Sequence, residues 1–161
     1  MNFYDGKKAI VINIDHIVRY SKSGAPYIID ANDIAICPGV IPLLRRLKDQ
    51  GYHTVGVSHQ PGIRTYGVCV EAFLHGVART ADLLGDDAHF GSVYYSLDAK
   101  GRKGYDTNVI FSPLNDYRCF RKEMLYVGYT HKEAKMCSNI GISFVAAEVF
   151  FNRLVFIRQA W

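Results

Sequence analysis

Residues Ala9-Ile10-Val11-Ile12 form an unbroken apolar run that ends abruptly in Asn13-Ile14-Asp15-His16. The run does not alternate, so a strand built from it must be buried on both faces, the condition of a central strand in a parallel sheet. Few folds meet that condition, because helices must cover both faces and each parallel neighbour needs a crossover connection. In open α/β sheets ligands bind beyond the carboxyl ends of the strands. Asn13, Asp15 and His16 therefore stand where chemistry is expected, and the first of them is an amide.

The rest of the chain supplies the crossovers. Pro38-Gly39 opens a helix with Val40, Leu43, Leu44 and Leu47 as its apolar stripe and Arg45, Arg46 and Lys48 as its wet face; Gly51 ends it. His53-Thr54-Val55-Gly56-Val57 reads as a second buried strand, followed by a turn, Ser58-His59-Gln60-Pro61-Gly62. The spacing predicts a helix over 68–84 with Val70, Phe73, Val77 and Leu84 inward, a strand at 92–95, a polar loop at 97–105 and a weak helix at 113–122. Then come a strand at 124–128, a helix capped by Thr130 and closed by Gly141, a strand at 142–145, a helical turn at 147–151 and an edge strand at 154–157. Strands alternate with helices throughout. The expected fold is a Rossmann-like, three-layer α/β/α arrangement with a mostly parallel sheet, in a single domain over 1–161.

Composition narrows the function classes. In 161 residues, 49% hydrophobic and 21% charged, a sizeable core can form. No apolar run reaches the length of a membrane span, and the polar start at 1–8 lacks the apolar core of a signal peptide. A cytoplasmic location with no membrane partner is expected. Cys37, Cys69, Cys119 and Cys137 form no C-x-x-C pair, which argues against a zinc ribbon and against a disulfide framework. His16, His59 and His131 show no standard ligand spacing and read as solvent-exposed loop residues. A net charge of +4 without a long basic block permits nucleic-acid binding but does not indicate it.

Four loops leave four strands: Asn13-Ile14-Asp15-His16, Ser58-His59-Gln60-Pro61-Gly62-Ile63, Arg102-Lys103-Gly104 and Gly128-Tyr129-Thr130-His131-Lys132-Glu133. In order and spacing they resemble the haloacid dehalogenase (HAD) superfamily of phosphohydrolases. The chain looks most like its small capless branch of histidinol-phosphatases, heptose-bisphosphate phosphatases and polynucleotide 3′-phosphatases. The segment Cys37-Pro38-Gly39-Val40-Ile41-Pro42-Leu43-Leu44-Arg45-Arg46-Leu47, through Gly51-Tyr52 to Ser58-His59-Gln60-Pro61-Gly62-Ile63, carries the resemblance most specifically.

The resemblance implies an aspartyl-phosphate mechanism. An Asp ends the first strand and attacks phosphorus, and a second Asp two positions on serves as acid and base. A hydroxyl and a lysine hold phosphate oxygens, and an Asp after the fourth strand binds Mg²⁺ together with the nucleophile. Position by position, the nucleophile falls on Asn13, a poor nucleophile and a weak ligand for a hard cation. The acid/base position falls on Asp15. Ser58 takes the hydroxyl position, Arg102 and Lys103 take the cation position, and together with His59 these are the expected phosphate-binding residues. The metal-binding Asp falls on Tyr129, with Glu133 the nearby acidic residue.

Both carboxylates that bind Mg²⁺ in the relatives are thus replaced. The expectation is a catalytically impaired HAD-fold protein, a pseudophosphatase without Mg²⁺ or zinc, acting by binding a phosphorylated ligand, another anion, or a protein partner or second subunit. In it Asp15 is a structural acceptor, and Tyr129 is a packing residue filling the vacated metal space. With only a loop, an extended flap and one helix between Asp15 and Ser58, no cap domain is expected and the site should be open. The rival reading is a working phosphatase on a sugar phosphate or a nucleic-acid 3′-phosphate, with Asp15 or Glu133 supplying the missing carboxylate.

Overall fold

The computed structural model describes residues 6–60, 63, 69–96 and 106–156. Five strands build the main sheet: β1 (Ala9–Asn13), β4 (His53–His59), β5 (Ser92–Ser96), β6 (Met124–Gly128) and β7 (Ser143–Ala146). The two short strands β2 (Arg19–Ser21) and β3 (Ile34–Ile36) pair separately. The helices are α1 (Val40–Asp49), α2 (Val70–Leu84), α3 (Asn108–Asp116), α4 (His131–Ile140) and α5 (Ala147–Phe156). The main sheet runs in the order β5-β4-β1-β6-β7, and every pairing in it is parallel.

β1 is central, as its apolar run requires, and all five of its residues are buried. The strand period of two divides them. Ile10 and Ile12 pack with Val40, Leu44 and Leu47 of α1, Leu125 and Val127 of β6, and Phe150 of α5. Ala9 and Val11 pack on the opposite face with Val109, Ile110 and Leu114 of α3 and Met136, Cys137 and Ile140 of α4. Asn13 shares the parity of Val11, so its side chain belongs to the α4 layer.

Several boundaries depart from the sequence expectation. β4 continues through Ser58 and His59, which pair with Tyr95 and Ser96 of β5, so both are strand residues rather than turn residues. The buried positions of α2 are Phe73, Gly76, Thr80 and Leu84, a stripe rotated from the expected one, with Val77 only half-buried. α3 begins a turn before Pro113, because the Asp106 carboxylate accepts from the Asn108 N–H at 2.9 Å. The expected edge strand at 154–157 is a correction: residues 154–156 belong to α5. A short apolar run carries no periodicity that separates strand from buried helix. The polar loop expected at 97–105 lies outside the described residues.

Between β1 and α1 the chain makes a small flap. β2 and β3 pair antiparallel, and Asp33 pins the loop between them by accepting from Ser21 Oγ at 2.5 Å, Ser23 Oγ at 2.7 Å and the Ser23 N–H at 2.9 Å. The flap lies on α2 at Gly76, where an added Cβ would stand 3.4 Å from Ile34 and 3.6 Å from Ile28. No helix among the described residues is long and apolar enough to cross a membrane.

Candidate functional site

The site forms where β1, β4 and β6 end. Asn13 closes β1, and both ends of its amide are engaged. Oδ1 accepts the Asp15 backbone N–H at 3.0 Å, and Nδ2 donates to Glu133 Oε1 at 2.7 Å. An N–H on one side and a carboxylate on the other dictate which way the amide points.

Glu133 is completely buried. It is the third residue of α4, where it forms a capping box with Thr130: the Glu133 N–H donates to Thr130 Oγ1 at 3.2 Å, and the Thr130 N–H donates to Glu133 Oε2 at 2.8 Å. Tyr126 OH donates to Oε1 at 2.9 Å, and the Tyr129 N–H and Thr130 Oγ1 donate to Oε2 at 3.0 and 2.8 Å. With Asn13, five donors converge on one carboxylate, which meets the requirement that a buried charge be hydrogen-bonded. The carboxylate reaches this place because residue 128 is glycine. A Cβ there would stand 2.9 Å from Glu133 Oε2 and 2.9 Å from the Phe144 ring.

A second network surrounds Asp15. The turn after β1 is tight: the Val18 and Arg19 N–H groups both reach the Ile14 carbonyl, and the His16 N–H donates to the Arg19 carbonyl at 2.9 Å. This fold-back brings the Arg19 side chain onto Asp15. Nε and Nη2 donate to Asp15 Oδ1 at 3.1 and 3.0 Å, while Nη1 donates to Thr80 Oγ1 of α2 at 2.9 Å. The guanidinium also sits 5.9 Å from the Phe73 ring centroid and is 1% exposed. The other oxygen of Asp15 accepts from Ser58 Oγ at 2.5 Å and Gln60 Nε2 at 2.8 Å. Asp15 is therefore an anchored acceptor for four side-chain donors.

Above these networks lies a cavity of about 260 Å³, lined by Asn13, Asp15, Arg19, His59 and Gln60 below and by flap residues and Tyr129 around its mouth. His16 stands at the rim with φ of 63°, in the left-handed region that non-glycine residues seldom adopt. Its ring meets Tyr129 edge-on at 5.7 Å. His59 is pushed down to about 4 by burial, more strongly than nearby Glu133, Asp15 and Asp106 pull it up. It is neutral at pH 7.

The structure brings Asn13, Asp15, Ser58, His59, Tyr129 and Glu133 together at one sheet edge. Arg102 and Lys103 lie outside the described residues. Ser58 is fully buried and bonded to Asp15 and Gln60. Of the three histidines expected to be solvated, His16 and His131 are exposed, and His59 is not. Tyr129 does not fill the space between Asn13 and Glu133; it is 49% exposed, and the direct amide–carboxylate bond closes that space. Sequence reasoning missed Arg19, Gln60, Thr80 and Tyr126. Two signals were present: Arg19 follows Asp15 by four residues across a turn, and Thr80 interrupts the buried stripe of α2.

No protein-family model matches the sequence, and no curated protein is recognisably similar to it. Solved structures do resemble it. The D,D-heptose 1,7-bisphosphate phosphatase from B. bronchiseptica, complexed with magnesium and phosphate, superposes with a TM-score of 0.73 at 12% identity, over 85% of this chain and 78% of that one. A protein from Mesorhizobium loti described as a HAD-like phosphatase gives 0.68 at 18% identity, over 84% and 69%. A chain of the Pnkp1/Rnl/Hen1 RNA repair complex gives 0.56 at 13% identity, over 87% of this chain and 42% of that one. At these identities the likeness is one of architecture, and its conclusion is that the chain has the α/β fold of the haloacid dehalogenase-like phosphatases.

Proposed function

We propose that this protein is a phosphatase-fold binding protein, which holds a ligand or partner at the carboxyl edge of its sheet without hydrolysing phosphate esters. The observation that carries this reading is the 2.7 Å bond from the Asn13 amide to buried Glu133. It occupies the place where a carboxylate nucleophile would stand. A carboxamide has no anionic oxygen for attack on phosphorus, and this one is held from both ends.

The remaining groups support the same reading. An acid/base catalyst must exchange its proton with the reacting group, whereas Asp15 is held by the Arg19 fork, Ser58 and Gln60. Mg²⁺ favours carboxylate oxygens in octahedral geometry. Both oxygens of Asp15 and both of Glu133 already take donors, and the Asn13 oxygen takes the Asp15 N–H. These residues do not fit a Mg²⁺ ion. The compartment that goes with the reading is the cytoplasm, which suits four cysteines that stand as free thiols.

The phosphatase identities of the similar structures favour a second reading, a working phosphoric monoester hydrolase. One experiment separates the two. Hydrolysis of a generic aryl phosphate with Mg²⁺ is measured for the native chain beside the Asn13→Asp, Tyr129→Asp double variant. Turnover by the native chain, with Asn13 shown intact by mass spectrometry, overturns the binding reading. An inert native chain beside a variant that gains turnover supports it.

A further inference from the structure

The described lining of the cavity is balanced in charge. Arg19 answers Asp15, the donors around Glu133 answer the carboxylate behind Asn13, and His59 is neutral at pH 7. Among the described lining residues Arg19 is the only lysine or arginine, and its guanidinium is bound to Asp15 and Thr80. Among the described lining residues an anionic group entering here meets no uncommitted guanidinium or ammonium, and it meets the Asp15 carboxylate.

What the lining offers is ring surface. Tyr20, Tyr27, Tyr129 and His16 all border the space. Tyr20 and Tyr129 are 42% and 49% exposed. His16 is kept at positive φ beside Tyr129, and backbone held in a sparsely populated region at a cavity marks a place shaped for contact. One polar group is also available. Gln60 donates from Nε2 to Asp15 and Ser58, while its Oε1 accepts no hydrogen bond among the described residues. The volume, about 260 Å³, falls just below the roughly 300–1,000 Å³ of drug-sized ligand clefts and suits a single small ring-bearing molecule.

We infer that the cavity takes an uncharged nucleoside, its planar heteroaromatic base lying against Tyr129 and Tyr20 and donating a base N–H to Gln60 Oε1. The inference rests on the binding reading above and names the ligand class for that same site. Aromatic faces hold bases by stacking regardless of net charge, and the acceptor oxygen of half-buried Gln60 favours a ring that carries a donor.

Calorimetric titration of the full chain with adenosine, guanosine, cytidine and uridine, and separately with inorganic phosphate, tests it. At least one nucleoside is expected to bind at a single site with Kd below about 1 mM, and phosphate to give no site-specific heat. The Tyr20→Ala, Tyr129→Ala double variant should bind that nucleoside about tenfold more weakly or worse, and the corresponding double Phe variant should retain it. Both tyrosines are half-exposed, so the fold should survive, and an unchanged melting temperature checks this. Absence of nucleoside binding, an affinity indifferent to the alanine pair, or phosphate that competes for the same site overturns the inference. A nucleoside has no ester to hydrolyse. Turnover of an aryl phosphate would therefore sink the binding reading while leaving this result standing, and failed nucleoside binding would do the reverse.

Discussion

Asn13 and Glu133 stand 120 residues apart in sequence and 2.7 Å apart in space, an amide donating to a carboxylate that is wholly buried. The bond ties the end of the central strand to the first turn of α4. It also makes the site depend on a neutral residue at position 13.

Asn13→Asp would place a second carboxylate against Glu133 at that distance. We expect a loss of about 3 kcal/mol in stability at pH 7 in the presence of EDTA, from like-charge repulsion and a lost buried hydrogen bond. Urea unfolding at pH 7 reads it, and a variant as stable as the native chain contradicts the description of the pair.

Arg19→Met leaves Asp15 without its cation while keeping most of the apolar stem. Asp15 is partly screened by solvent, with 17% of its side chain exposed. The expected cost is therefore about 2–3 kcal/mol, below the range for a fully buried pair. Adding Asp15→Asn should recover part of it, because the unpaired charge is then gone. A double variant whose loss equals the sum of the singles would show that the two side chains act independently.

His59 carries a pH dependence with a definite sign. Burial pushes it down to about 4 in the folded chain, against 6.5 ordinarily. Between those values the unfolded chain binds a proton that the folded chain does not, so this residue's contribution is intact above pH 6.5 and declines as pH falls toward 4. The loss is at most about 3 kcal/mol. Imidazole resonances followed by NMR should show His59 still neutral at pH 5, and a midpoint near 6.5 would refute the burial argument.

Gly128→Ala forces a methyl group to within 2.9 Å of Glu133 and Phe144. The carboxylate must leave its donors or the strand must shift, and either should cost about 2–3 kcal/mol. Chemical denaturation measures it. An alanine variant of native stability would mean that Glu133 is not held where the five donors place it.

The order of the elements was legible because it follows from periodicity, and the strand periods and helical stripes are local properties of neighbouring residues. That Asn13 ends a buried central strand, that Thr130 caps a helix and that Gly141 closes one could all be read in the same way. The fate of the apolar stretch at 154–156 could not, since a short apolar run has no periodicity that separates helix from strand. The candidate site divides along the same line. Residue types at the strand ends already showed an amide and a tyrosine where carboxylates were expected. Which groups meet was decided by tertiary structure alone: Glu133 with Asn13, Arg19 with both Asp15 and Thr80, His59 buried while His16 is exposed. Those contacts join chain segments up to 120 residues apart. They depend on strand order, on the parity that turns Asn13 toward α4 and on the space left by Gly128, none of which is a property of any one stretch of sequence.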